Sequence, residues 1–318
     1  MNGATDKEQN KKLWLEKPYH SLDYDMKTTF GEKLYRITLN AGLTCPNRDG
    51  TLGDEGCIFC SAKGSGDFAG DKRLSITEQL THGKLSLANK RGVNSYIAYF
   101  QAFTNTYGEL ATLEQLYLEA IQDEQVKVLS IATRPDCLEV DILNLLERVN
   151  KIKPIWIELG LQTVHETTAR YIRRGYPLFI FNKKVKALQE LGIPVIAHVI
   201  LGLPGETKEM MLETIDTLNQ LKVDGIKLSL LHVLKDTDLA VEYEQNPFWI
   251  PTLEEYLELL GECILRLDPN ITIHRLTGDG PKDLLIAPLW TTAKRTVLNE
   301  FHRYLKENQI WQGKEYHE

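Results

Sequence analysis

The amino-acid sequence predicts an α/β fold: a partial (β/α)6 TIM-like barrel over residues 33–252, with a short N-terminal extension (1–32) and a C-terminal cap (253–318) continuous with the barrel. Two observations predict it. Six short β-rich runs alternate with helical patterns, which implies a parallel sheet. The runs are apolar nearly throughout, as in VIAHVIL and IWIELGL, the pattern of strands covered on both faces. Six units are fewer than the eight of a closed barrel, so the sheet is expected to stay open.

Taken in order, residues 1–32 are polar and aromatic without clear periodicity and read as an extension. Strands are expected at Tyr35–Ala41, Tyr96–Gln101, Val126–Ala132, Ile155–Gln162, Pro194–Leu201 and Gly225–Leu231. Helical patterns lie between them at Thr112–Asp123, Val140–Asn150, Phe181–Leu191 and Thr207–Leu221. Thr207 is placed to cap a helix start, and Gly192 followed by Pro194 stops the helix before it. Beyond Thr252 come a helix (Leu253–Leu267), a strand (Ile271–Leu276), a glycine-rich TGDGP loop and an amphipathic helix (Trp290–Glu307), together read as the cap.

With 318 residues, 42% hydrophobic and 25% charged, the chain can bury a sizeable core. No run approaches the ~18 apolar residues of a membrane span. The N-terminus, MNGATDKEQNKKLWLEK, lacks the apolar core of a secretory signal. No membrane association is expected, and the natural reading is cytoplasmic. The net charge of −7 excludes a globally basic nucleic-acid binder, so an RNA partner must meet a local basic patch. Five cysteines, an odd number, argue against a disulfide framework. Three of them fall within sixteen residues.

That segment reads LNAGLTCPNRDGTLGDEGCIFCSAKGSG. Cys45 follows the first strand, and after a gap of eleven residues Cys57 and Cys60 form a Cys-x-x-Cys pair. A closed structural zinc site takes four ligands, and ordinary iron–sulfur clusters take four cysteines. Three thiolates therefore form either an incomplete shell, suited to a metal that also binds substrate or cofactor, or part of a zinc ribbon completed by a distant His or Cys. The segment resembles the radical S-adenosylmethionine (SAM) superfamily, whose usual spacing is three residues and then two. The eleven-residue first gap departs from that pattern but occurs in the Elongator catalytic-subunit-like branch. Phe59, before the last cysteine, also fits the family. The resemblance implies a [4Fe–4S] cluster held by Cys45, Cys57 and Cys60, with SAM on its open iron. It also implies a flavodoxin- or ferredoxin-type electron donor.

Further motifs follow in the order of that superfamily. After the second strand, AYFQAFTNTYG stands where the family has Gly-Gly-Glu, which implies that Gln101, Thr104, Asn105 and Thr106 bind SAM. Alone, the segment is a polar strand-end loop. The third strand ends in IATRPDC, which resembles the Thr-Arg-Pro-Asp-Cys of the Elongator-like branch. Pro135 forces Arg134 out of helical geometry and puts Arg134 and Asp136 at the C-terminal rim, where barrel chemistry is done. Cys137 reads as a small packing residue.

In IWIELGLQT, Glu158 and Gln162 alternate with apolar residues and so point into the barrel mouth. By resemblance they contact SAM or substrate. A buried carboxylate needs partners, and Arg170, Arg173 and Arg174 are candidates. By resemblance one of these arginines engages the SAM carboxylate, while a solvated basic helix end is the other reading. In HVILGLPGET, Gly202 and Gly205 allow the close approach of backbone to adenine that the family uses. KLSLLHVLKDTDL resembles a His-x-Leu-x-Lys-x-Thr segment of the same branch, and His232 is either an active-site group or a satisfied core histidine. Asp279 and Lys282 of TGDGPKD either order the substrate or form an ordinary Asp-Gly turn.

From YHSLDYDMKTTFGEKLYRITLNAGLTCPNRDG to TGDGPKDLLIAPLW the chain is similar to the YtqA/YhcC-like group of radical SAM proteins. The resemblance implies cleavage of SAM to a 5′-deoxyadenosyl radical. It also implies a tRNA substrate, carboxymethylaminomethyl-uridine at the wobble position, converted to aminomethyl-uridine. Basic contacts for tRNA are sought at Lys183, Lys184, Lys186, Lys282, Lys294, Arg295 and Arg303. Two rivals stand beside this reading. One is a radical SAM oxidoreductase acting on a small molecule or another nucleoside, and the other is a non-catalytic zinc-stabilised RNA-binding module.

Overall fold

A computed structural model describes residues 14–317 of the chain except Ser65, Arg91 and Asp279. The first half runs α1 (Leu22–Phe30), β1 (Tyr35–Leu39), α2 (Ile76–Leu87), β2 (Tyr96–Phe100), α3 (Leu110–Gln122), β3 (Val126–Thr133), α4 (Val140–Ile152) and β4 (Ile155–Gln162). The second half runs α5 (Glu166–Tyr171), α6 (Leu178–Glu190), β5 (Val195–Leu201), α7 (Lys208–Leu221), β6 (Gly225–Leu230), β7 (Val233–Leu234) and α8 (Asp238–Gln245). It closes with α9 (Leu253–Arg266), β8 (Thr272–Arg275), β9 (Leu285–Ala287) and α10 (Lys294–Glu307).

Seven strands form one parallel sheet in the order β1-β2-β3-β4-β5-β6-β8. All six expected strands are in it. The strand expected within the cap is the seventh of the same sheet, with Gly225 opposite Thr272 and α9 as the crossover. Thr272 and Ile273 are buried there, which a free-standing cap strand of four residues would not achieve. β7 and β9 make a separate antiparallel pair.

Alternation along each strand divides the sheet into two faces. Outward residues such as Leu129, Ile131, Ile157 and Leu159 pack with the surrounding helices in the main core. Each fully buried side chain of this kind contributes roughly 1.5–3 kcal/mol. The helices begin where side chains cap them: Thr207 accepts from Met210 N, and Ser75–Glu78 and Thr252–Glu255 form reciprocal capping boxes.

The N-terminal segment is more ordered than its pattern suggests. Ser21 caps α1, and Gly31 ends it at φ 76°. Met26, with Leu22 and Phe30 beside it, packs on Ile97, Val128, Trp156 and Ile196, closing the end of the sheet where the strands begin. Only Met26 of α1 is buried, so the helix carries little periodic signal. Residues from near the two ends of the described chain are joined there. Gln312 donates its backbone N–H to Pro18 O at 2.8 Å, and its Oε1 accepts from His20 N at 2.8 Å. Ile273 N donates to His20 O at 2.7 Å. No helix among the described residues is long and apolar enough to cross a membrane.

Candidate functional site

The loop after β1 folds over the C-terminal rim and is tied down by backbone and side-chain bonds. Arg48 N donates to Cys45 O at 2.8 Å, Gly56 N to Asn47 O at 2.7 Å, and Cys60 N to Cys57 O at 3.0 Å. Asn47 Nδ2 donates to Arg173 O at 2.7 Å and lies 3.5 Å from Cys57 Sγ. The Arg48 guanidinium holds Cys60 O at 3.0 Å and Ser61 O at 2.8 Å. Glycine is required at 175: φ is +85°, and a Cβ would stand 2.7 Å from Asn47 Oδ1 and 2.9 Å from Arg134 Nη2. Beneath the loop, Ile58 packs with Ile172, Leu203, Leu231 and Leu239 in a second apolar cluster.

Cys45, Cys57 and Cys60 are half-buried and line one cavity of about 460 Å³ in the barrel mouth. The pKa of the Cys57 thiol is lowered to about 7 by its hydrogen bond with Cys60 against the opposing effect of burial, with Arg134, Asn47 and Arg48 adding to the lowering. Thiolate character and cationic flanks fit a metal-binding role. Among the described residues no three His, Cys, Asp or Glu side chains are arranged around a single ion. The three thiols line one cavity together and would hold a group larger than a single ion, such as a four-iron cluster. Cys137 and Cys263 are buried, and burial pushes both thiols up to about 12. They are packing residues, as expected for Cys137.

The floor of the cavity is polar and sits inside the barrel. Glu158 on β4 is fully buried and accepts from Ser130 Oγ at 2.7 Å and from His198 at 2.8 Å. It also pairs with Lys227 and, at 3.4 Å, with Arg36. These replace the partners expected from sequence: among the described residues neither Arg170, Arg173 nor Arg174 reaches Glu158, because all three lie beyond the rim on or after α5. Burial works against ionisation of Glu158, but Lys227, Arg36 and His198 outweigh it and hold the carboxyl well below its usual range. Burial, aided by Lys227, lowers His198 to about 4, so its ring is neutral and donates to Glu158. Tyr99 accepts from Lys227 at 3.3 Å.

The other expected residues fall into two groups. Gln101, Thr104, Arg134, Gln162, Arg174 and His232 line the cavity with the cysteines. Arg134 is paired with Asp136 at 2.8 Å and lies over the Tyr176 ring at 5.0 Å. Gln162 ends β4 at φ 64°. The loop glycines Gly278 and Gly280 fold against the His232 ring, so that a Cβ on them would approach it to 3.1 and 3.3 Å.

The rest have structural partners or lie elsewhere. Asn105 is buried and donates to Phe100 O and Ala132 O; the Thr106 hydroxyl donates to Cys137 O and lies 2.6 Å from that of Thr133. Arg174 donates to Leu161 O, Thr163 O and Tyr176 O, so its cavity edge is that of a loop anchor. Arg173 pairs with Glu55 and Asp238, and Arg170 is exposed. Gly202 (φ 78°) abuts Leu230 and Pro251, whereas Gly205 (φ 83°) has open space about it. Lys282 is exposed outside the lining, and Asp279 lies outside the described residues. Of the basic residues sought for RNA, Lys184 is spent on Leu138 O and Arg303 on Glu300 and Glu307.

Sequence reading passed over Arg36, Tyr99, His198, Lys227 and Arg275. The signal was present: each of Arg36, His198 and Lys227 interrupts a strand otherwise almost apolar (YRITL, VIAHVIL, GIKLSL). A larger open groove of about 960 Å³ lies at the opposite end of the sheet, lined by Asp224, Asp268 and Asn270, away from all of these groups.

Comparison with known proteins points the same way as the geometry. The Radical SAM superfamily model matches residues 45–218, and the Radical_SAM C-terminal domain matches 223–307. "Uncharacterized protein YtqA" of Bacillus subtilis is 41% identical over 299 residues, covering 94% of this chain and 93% of that protein. Protein YhcC of Escherichia coli K12 is 36% identical over 299 residues, covering 94% and 96%. A tRNA uridine(34) acetyltransferase of Methanocaldococcus jannaschii is 25% identical over 187 residues, 57% of this chain and 33% of that protein. The solved Methanocaldococcus infernus Elp3 lacking its N-terminus has the same fold, with a TM-score of 0.66 at 16% identity over 88% of this chain and 64% of that one.

Proposed function

This chain belongs to the radical SAM superfamily, and from that premise we propose that it modifies tRNA, converting carboxymethylaminomethyl-uridine at the wobble position to aminomethyl-uridine. The superfamily uses a [4Fe–4S] cluster and SAM. The observation that carries the substrate reading is the stretch shared with a tRNA uridine(34) acetyltransferase.

Cys45, Cys57 and Cys60 hold the cluster in this reading. When bound, the cluster and SAM supply a one-electron cleavage whose product abstracts hydrogen from an unactivated C–H. The chain's own share is placement and exclusion of water. Asn47 and Arg48 fix the cysteine loop, while Arg48 and Arg134 offset the negative charge of the thiolates. Gln101 and Thr104 face the cavity where SAM would lie. The partial exposure of the three cysteines supports electron entry from a flavodoxin- or ferredoxin-type donor. On the substrate, one hydrogen atom would leave the glycyl methylene, and loss of the adjoining N–H proton with one electron, returned to the bound cluster as acceptor, would give the C=N imine. Its hydrolysis releases glyoxylate and leaves the primary amine on the uridine.

The test is anaerobic reconstitution with iron and sulfide, reduction in the presence of SAM, and incubation with tRNA carrying carboxymethylaminomethyl-uridine. Nucleoside mass spectrometry should show aminomethyl-uridine appearing with 5′-deoxyadenosine. If 5′-deoxyadenosine forms but the nucleoside is untouched, the small-molecule oxidoreductase reading replaces this one. A protein that holds zinc and leaves SAM intact would sink both.

A further inference from the structure

Among the described residues, the charges facing the interior of the barrel do not balance. Three cations approach the floor of the cavity: Arg36 on β1, Lys227 on β6 and Arg275 on β8. Among the described residues one carboxylate, Glu158, meets them, and it is already shared between Lys227 and Arg36 and saturated further by Ser130 and His198. His198 and His274 are held neutral by burial. Arg275 stands opposite Lys227 in the register of β6 and β8 and lines the cavity. Among the described residues its guanidinium makes no hydrogen bond or ion pair. The other acidic side chain of the described residues that lines the cavity, Asp67, accepts from Ser61.

The Arg275 guanidinium is part-buried and open to the cavity, so an anionic ligand entering there would meet a positive charge that no carboxylate of the described residues offsets. The planar fork of a guanidinium matches a carboxylate bidentately. We propose that Arg275 is the seat for a carboxylate carried by the substrate, so that the enzyme selects substrates with a carboxylic-acid end. The inference rests on the radical SAM reading of the site and deepens the proposed substrate, whose glycyl carboxylate is the matching group. A carboxylate at Arg275 would leave the adjoining methylene higher in the cavity, towards the cysteine loop.

The experiment uses reconstituted holoenzyme with SAM under anaerobic conditions. Binding is measured for an anticodon stem-loop carrying carboxymethylaminomethyl-uridine and for the same stem-loop as its methyl ester. Wild type should prefer the acid by about tenfold to a hundredfold, the range of a charge-assisted pair. Arg275→Gln should bind both alike, Arg275→Lys should keep part of the preference, and SAM affinity should not change. Retained preference in Arg275→Gln, or loss of its SAM affinity, overturns the proposal.

If neither stem-loop binds, the wobble-uridine reading fails, and the seat is decided by chemical protection. N-methylglycine, but not its methylamide, should shield Arg275 from phenylglyoxal, read by peptide mass spectrometry. Protection by inorganic phosphate alone, or by neither acid, overturns the carboxylate seat.

Discussion

Glu158 on β4 and Lys227 on β6 meet across the intervening strand β5, out of water, with His198 of β5 donating to the same carboxylate. The pair joins three strands through their inner faces. Such a pair adds little net stability when intact, but removing one member strands the other as a buried charge.

Glu158→Gln should therefore cost about 3–5 kcal/mol, read as a lowered urea midpoint of the apo protein. The double change Glu158→Leu with Lys227→Met should recover most of that loss. A double variant as unstable as the single one would mean that the surrounding polar groups, and not the lone charge, dominate.

Stability should also fall as pH drops below neutrality. An unfolded His198 takes a proton near its ordinary 6.5, whereas the folded ring refuses one until about 4. Between those values the unfolded state binds more protons, so stability is lost as pH falls, by up to about 3 kcal/mol over the window. The ring is faced by Glu158 from β4, Lys227 from β6 and Arg275 from β8. Glu158 acts in the same sense at lower pH, and part-buried His274, lowered by desolvation, acts in the same sense below its ordinary 6.5. His198→Asn should reduce the slope of stability against pH by up to about 1.4 kcal/mol per unit, leaving that of His274. Unfolding curves in urea between pH 7.5 and 5 would measure it.

Iron loading should separate the five cysteines. Cys45→Ala, Cys57→Ala and Cys60→Ala are expected to abolish retention of iron and sulfide after anaerobic gel filtration. Cys137→Ala and Cys263→Ala should load as wild type, because burial holds both thiols protonated in the core. Loss of iron from Cys137→Ala would move that residue into the metal-binding set.

Gly175→Ala should impair the cysteine loop from a distance. Its φ of +85° costs about 1–2 kcal/mol with a side chain, and the new methyl collides with Asn47 and Arg134, which flank Cys57. Gly192→Ala supplies the control, since it carries similar strain at φ +65° with open space around it. Iron retention should drop in the first and not in the second, although both lower the melting temperature.

The barrel was legible in the sequence because period and length announce it: IWIELGL and VIAHVIL admit few other readings. The cysteine loop was legible because three thiols in sixteen residues need a chemical reason. Less visible were groups brought together from separate strands. Arg36 and Lys227 are 191 residues apart, and no local pattern joins them. Arginines close to Glu158 in sequence drew attention instead, yet Arg174 turns back to the carbonyls of Leu161 and Thr163. The seventh strand was recognised as a strand but placed with the cap, because four residues carry no signal of which neighbour they will pair with.

The linkage of His20 with Gln312 bears on how the chain is made. The end of the sheet near α1 is sealed by contacts between residues almost 300 positions apart, and such distant contacts form late in folding. During synthesis the earlier strands will have emerged and paired well before Gln312 leaves the ribosome. Until then the His20 segment that covers Ile273 at the edge of β8 lacks the bonds by which Gln312 holds it. A nascent or truncated chain lacking its last few residues is thus the form most in need of chaperone protection.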